Sequence, residues 1–395
     1  MSQPVVRETK HRTSAQSDAR GLRDEAAGSA PAALFFPGPC CQAQVVRNDV
    51  STELMPAAVY VGDGAIEVQQ LPVPDFGPAE ALIEVSHCGI CGTDLHLVLE
   101  RYARPGSVLG HEWAGTIAAL GADASGWEIG ARVVLDPTPG CGRCRACKRG
   151  RSSVCVRRKP PDLLDFSRGA FCRYKVVPAA QLLRVPDGLS TRAAALTEPT
   201  AIALHTVNLA HVSPDDRVLV TGGGPVGLLT TAVLRSRGVR DIVVSEPAAA
   251  RRRRAVAVGA TSAVAPDELP RAQMGRPVDA PFTVAFECSG HAAAAESALD
   301  QLDYAGTLVF VGTGSAPPRV NHNRVIVMEQ TLMGAYNYDA EGFRPALELL
   351  ASGALPLDLL IEPVDIRLDE VLATMHRLTA GELPGKVMVT PEVSA

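Results

Sequence analysis

The segment Arg217-Val-Leu-Val-Thr221 passes directly into Gly222-Gly-Gly224-Pro225-Val226-Gly227, and a helical pattern follows over residues 226–237. No other stretch restricts the fold so strongly. Strand, glycine-rich turn and helix in that order belong to a parallel sheet wound with helices. Gly222, Gly224 and Gly227 meet the demands of a G-x-G-x-x-G turn: a tight reversal, close approach of backbone to a pyrophosphate, and close packing of helix on strand. The helix start at Pro225 and Val226 offers unpaired N–H groups and a positive dipole end to phosphates. Strands expected at 242–246, 283–287 and 307–311 continue the alternation, so a doubly wound α/β domain is expected over residues 201–337.

Glu246 ends the strand after the turn, 22 residues beyond Gly224. A carboxylate there accepts hydrogen bonds from both ribose hydroxyls and repels a 2′-phosphate, which favours NAD over NADP. The run Arg251-Arg-Arg-Arg254 lies just beyond it, and reads either as a phosphate contact through Arg251 or as a solvated helix face.

Cys141, Cys144, Cys147 and Cys155 form a C-x2-C-x2-C-x7-C run. Sulfurs so close compete for the same disulfide partners, whereas one tetrahedral zinc satisfies all four. A ferredoxin-type cluster needs a shorter last gap followed by proline, and Val156 follows Cys155. The expected tenant is structural zinc. The surrounding Arg143, Arg145, Lys148, Arg149, Arg151, Arg157, Arg158 and Lys159 raise nucleic-acid binding as a rival, but the 395-residue chain carries a net charge of −5. Neither nucleic acid nor a membrane surface is expected as a partner.

Residues 1–54 are polar and rich in Ala, Arg and Ser; the reading is a disordered leader with Met55 as the biological start, and Cys40 and Cys41 are given no role. No apolar run approaches the ~18 residues of a membrane span, and no signal peptide is recognised, so a reducing cytoplasm is expected. Short alternating runs such as Ala81-Leu-Ile-Glu-Val85 and Ala131-Arg-Val-Val-Leu135 indicate a β-rich domain over residues 55–200. Helices are expected over 193–210, 343–352 and 368–379, with a last strand at 386–390 returning, along with the rest of 338–395, to the first domain.

A second donor set mixes Cys91, His111 and Glu198. Three mixed ligands and an open position suit a catalytic zinc, as four cysteines suit a closed one. The ordered motifs Gly-Ile-Cys91-Gly-Thr93-Asp94-Leu-His96, Gly110-His111-Glu112, the cysteine run, Glu198-Pro199 and G-x-G-x-x-G resemble those of the zinc-dependent medium-chain alcohol dehydrogenases. The resemblance spans nearly all of the chain after the leader.

It implies a GroES-like catalytic domain joined to a Rossmann domain, with two zinc ions per chain and NAD. It also implies that Thr93 accepts the alcohol proton, that His96 passes it on, that Asp94 orients His111, and that Glu112 stands by as an alternate ligand. Cys88 is read as a small core thiol. Glu198 in place of cysteine, and Gly92 in place of a basic residue, resemble the branch acting on polyols, butanediol and threonine, with cyclitol dehydrogenases as a finer match. The substrate implied is a small secondary alcohol, with an L-threonine-type amino alcohol as the alternative. Relatives form homodimers or homotetramers.

Overall fold

The computed structural model describes residues 53–137, 140–157, 168–273, 275–339 and 342–393. The expected leader lies outside these except for its last two residues, as do Cys40, Cys41, Arg158 and Lys159.

The chain enters through β1 (Leu54–Gly62), β2 (Ala65–Pro72) and β3 (Glu80–Gly89), then α1 (Gly92–Leu99), β4 (Ser107–Val108), β5 (Glu112–Leu120) and β6 (Arg132–Leu135). After the cysteine loop come β7 (Tyr174–Pro178) and β8 (Leu182–Arg184). These strands form two sheets, β2-β1-β4 and one built on β3-β5-β6-β8, with β7 also paired to β3. Val59, Ile83, Val85, Ile117 and Val133 fill the space around them. This is the expected β-rich lobe, although β3 buries Ala81, Leu82 and Ile83 in succession rather than alternating.

Two helices follow, α2 (Thr191–Ala194) and α3 (Thr197–Leu209), where the sequence predicts one helix over 193–210. Pro199 explains the break. Proline has no N–H to give a preceding turn and is tolerated only in the first turn of a helix. The chain therefore restarts at Thr197, whose hydroxyl donates to Ala194 O at 2.6 Å. The restart sets Glu198 in the first turn of α3, where a carboxylate meets the positive dipole end.

The second lobe alternates β9 (Arg217–Thr221), α4 (Pro225–Ser236), β10 (Asp241–Ser245), α5 (Ala249–Val258), β11 (Ser262–Val264), β12 (Phe282–Glu287), α6 (Ala292–Asp300), β13 (Leu302–Phe310), α7 (His322–Val327) and β14 (Thr331–Gly334). Its strands lie parallel in the order β11-β10-β9-β12-β13-β14, the dinucleotide-binding arrangement. Val218 and Val220 pack with Leu228 and Leu229 on one face. Leu219 packs with Val243, Ala285 and Leu308 on the other. Burial on both sides is why β9 reads as unbroken apolar sequence.

After α8 (Phe343–Ala351), α9 (Leu357–Leu360) and α10 (Val371–Thr379), the chain closes with β15 (Met388–Val389), antiparallel to Cys88 and Gly89 of β3. The last strand thus returns to the first lobe, shorter than the predicted 386–390. All described residues belong to one compact unit.

Candidate active site

Asp94 organises the first donor set. It is fully buried, and its Oδ2 accepts from the N–H of Cys91, the residue that caps α1, at 2.9 Å. Its Oδ1 accepts from Gly110 N at 3.2 Å and stands 3.6 Å from His111 Nδ1. One carboxylate therefore fixes both donor-bearing segments. Burial disfavours charge on the His111 ring, but Asp94 and the Cys91 sulfur outweigh it and push its pKa well above the usual histidine value. Thr93 Oγ1 lies 3.7 Å from Cys91 Sγ.

The donor atoms that come within 4.8 Å of one another are those of Cys91, His111 and Glu112. Glu198 is not in that set. It stands at the start of α3, within the field of His111, Glu112, Lys386 and Asp94, and its pKa is pushed up to about 7, chiefly by burial. Glu112 is engaged elsewhere: the Lys386 ammonium donates to its Oε1 at 2.8 Å, lies 2.6 Å from its Oε2, and donates to Ile90 O at 2.9 Å. Burial alone would lower the Lys386 pKa, but Glu112 and Cys91 hold it above the usual lysine value. A Cβ on Gly89 would collide with the Glu112 carboxylate, so this pair requires glycine on β3.

Lys386 escapes the sequence reading, although a lysine inside an apolar strand is the kind of signal that asks for a buried partner. The site gathers Glu112, Glu198 and the Cys91 thiol around one lysine, with Asp94 holding Cys91 and His111. With the His111 imidazole, these S, N and O donors fit a zinc ion with an open position.

The cysteine loop is a different construction. All four sulfurs lie within 4.8 Å of one another, with Cys141 to Cys147 at 4.0 Å and Cys144 to Cys155 at 3.9 Å, separations that belong to thiols rather than disulfides. The N–H of Cys144 donates to Cys141 Sγ and that of Cys147 to Cys144 Sγ, both at 3.4 Å. Backbone donors at Cys141 and Arg157 lower the Cys155 thiol to about 6, while burial raises Cys147 to about 11. Donated N–H groups stabilise thiolate, the form a metal binds. Arg151 Nε and Ser153 N each reach Asp339 at 2.9 Å, and Asp339 lies 3.7 Å from His205 on α3. The loop is thereby fastened to the helix that carries Glu198.

At the glycine turn, Gly222 has φ +96°, and a Cβ on Gly227 would run into Gly222 O, so both need glycine. Gly224 faces open space, the cradle a phosphate would enter. Pro225 and Val226 open α4. Glu246 follows directly on β10, its Oε2 accepting from Gly223 N at 2.7 Å and its Oε1 from Ala248 N at 2.8 Å. The arginine run departs from expectation. Arg251 donates to Leu378 O at 3.0 Å, Arg252 to Glu246 O at 2.7 Å and Arg254 to Leu359 O at 2.8 Å. It is largely a set of staples rather than a solvated face, because carbonyls in α10, just after β10 and in α9 need donors.

The lobes meet at His96. Its Nε2 donates to Thr313 O, in the loop after β13, at 3.1 Å, and its Nδ1 lies 2.5 Å from Glu100 Oε1. Beside it a cavity of about 260 Å³ is lined by Glu287, Gly290, His291, Gly312 and Thr313.

The Alcohol dehydrogenase GroES-like domain matches residues 77–187, and the Zinc-binding dehydrogenase domain matches residues 225–352. A sorbitol dehydrogenase of Bacillus subtilis (strain 168) is 34% identical over 317 residues, covering 76% of this chain and 86% of that one. The chain belongs to the zinc-dependent medium-chain alcohol dehydrogenase family. An L-threonine 3-dehydrogenase of Stenotrophomonas maltophilia (strain K279a) is 33% identical over 281 residues, covering 69% and 81%. A solved structure from Sinorhizobium meliloti 1021, described as a zinc-binding dehydrogenase bound to NADP, superposes with a TM-score of 0.73 at 30% identity, covering 86% of this chain and all of that one.

As a member of this family the chain is a zinc-dependent, nicotinamide-dependent alcohol dehydrogenase that acts on the CH–OH group of a small molecule. Among the described residues no helix is long and apolar enough to cross a membrane.

Proposed function

We propose that this dehydrogenase oxidises a secondary hydroxyl of a diol, polyol or cyclitol, with NAD as acceptor and two zinc ions of separate duty. The observation that carries the reading is the pairing of two unlike donor sets. Cys91 and His111 lie together with Glu112, with Glu198 close enough to feel the charges of His111 and Glu112, whereas Cys141, Cys144, Cys147 and Cys155 form a self-contained loop. Zinc held by the first set would supply Lewis acidity toward a substrate hydroxyl, and NAD in the second lobe would supply the hydride acceptor.

The protein's own part is to orient and to move a proton. Thr93 accepts the hydroxyl proton, and His96, on the following turn of α1, carries it outward. Asp94 holds the His111 ring, and Lys386 neutralises Glu112, so the alternate-ligand role is restrained by an ion pair. Glu246, held by two amides just after β10, keeps a carboxylate where a 2′-phosphate would sit, which favours NAD. Relatives that dehydrogenate sorbitol and L-threonine frame the substrate choice.

The test is reduction of NAD and NADP by the metallated protein across diols, polyols, cyclitols and L-threonine, with metal analysis on the same sample. The reading expects turnover with NAD and a polyol or diol, and about two zinc per chain. Turnover confined to L-threonine, or a preference for NADP, contradicts it.

A further inference from the structure

We infer that Asp339 is a positioning residue for the catalytic set, transmitting the state of the cysteine loop to Glu198 through α3. The inference rests on the reading of Glu198 as a ligand of the catalytic zinc. It starts from the seven-residue gap between Cys147 and Cys155, the longest in the cysteine run. Ser152 and Ser153 in that gap are 6% and 2% exposed, so the gap is docked on the protein rather than free in solvent. Asp339, in the connection from β14 to α8, holds it there. Its Oδ2 accepts from Arg151 Nε and its Oδ1 from Ser153 N, both at 2.9 Å. The same Oδ2 stands 3.7 Å from Nδ1 of His205 on α3.

The ordinary explanation is a surface ion pair, which contributes little because two long side chains must be ordered in water. Arg151, with its side chain 43% exposed, would fit that explanation alone. The other two partners do not. Ser153 and His205 are buried, and the Asp339 side chain is itself only 17% exposed. Loss of the carboxylate would leave the Ser153 N–H buried without its acceptor and release the gap from the helix.

The path onward to Glu198 is short and stiff. His205 follows Glu198 by seven residues, two turns at about 3.6 residues each, so the two share one face of α3. Asp339 is held as well. Asn337 takes φ +52°, which asparagine tolerates, and Tyr338 packs on Phe343 at the start of α8 with ring centroids 5.3 Å apart. α8 in turn packs against α2 and α3, on either side of the break that sets Glu198. While the four cysteines are held together, Arg151 and Ser153 keep their place and α3 keeps its seat. A loop opened at Cys155, two residues from Ser153, releases them.

The experiment uses the holoenzyme with cobalt(II) in place of the catalytic zinc, whose visible bands report the geometry of its ligands. D339A, D339N, R151M, the double variant D339A/R151M and E198A are compared for kcat, KM and spectrum, with a thermal melt on each. D339A should shift the cobalt bands and lower kcat about tenfold at unchanged KM, as loss of an outer positioning contact does. D339N keeps an acceptor for Ser153 N and should fall between, R151M should shift the bands less, and R151M should add nothing to D339A. Unchanged bands in D339A overturn the proposal even where kcat or the melting temperature falls, since those losses mark a tether that only stabilises. Unchanged bands in both D339N and R151M overturn it equally, should D339A fail to fold. Full kcat and unchanged bands in E198A instead sink the ligand reading, whatever the Asp339 variants do.

Discussion

The two donor sets are built in opposite ways. The cysteine loop draws every sulfur from residues 141–155, and its N–H groups point back at its own sulfurs. The set proposed for the cleft takes Cys91 from the cap of α1, His111 from just before β5 and Glu198 from the start of α3, around the contacts of Asp94 with Cys91 and His111 and of Lys386 with Glu112. A local site can close around a metal by itself. A site assembled from distant segments inherits the geometry of the lobes and leaves room for a substrate.

The largest expected break of this contrast is Glu198→Ala. Turnover should fall by on the order of 10³ or more, the scale of lost Lewis-acid stabilisation, while the melting temperature changes little. NAD-coupled rates and a thermal melt on the same sample decide it; undiminished turnover removes Glu198 from the ligand set.

Lys386→Met should act on the scaffold instead. It strands the Glu112 carboxylate in the interior, at a cost of about 3–5 kcal/mol in denaturant unfolding. Restoring most of that loss with Glu112→Gln in the same chain would confirm that the pair, rather than the lysine's volume, is responsible.

Asp94→Asn should weaken metal affinity or activity by about 10–100-fold, as loss of a ligand-orienting partner does. Zinc titration against a competing chelator measures it, and the cysteine loop's affinity should not move.

The smallest effect is a pH trend in the metal-free protein. Glu198 has a folded value pushed up to about 7, above its unfolded value, so the folded state holds an extra proton between the two. Stability should therefore decline as pH rises through that window, and added zinc should reverse the decline by favouring the ionised carboxylate. Melting curves with and without zinc from pH 5 to 8 would show it; parallel curves would contradict it.

How much of this could be read from the chain follows the same divide. β9 and its glycine turn were legible because each face of the strand and each glycine answers to local geometry. The cysteine spacing was legible for the same reason. Cys91, His111 and Glu198 become a set only through family resemblance, since no spacing rule joins residues that far apart. Lys386 and Glu112 meet across 274 residues, and Arg251 finds Leu378 across 127, so neither contact leaves a periodic trace. The break between α2 and α3 was available in Pro199, which cannot continue a helix begun at residue 193.

Stepwise chelation with zinc content, turnover and melting temperature followed together tests the division of labour most directly. About two zinc per chain should be present at the start. The first to leave should abolish NAD-coupled turnover while the melting temperature holds, and the second should lower the melting temperature. Turnover that survives loss of the first zinc, or a melting temperature that falls with it, would contradict the separation of the two sites.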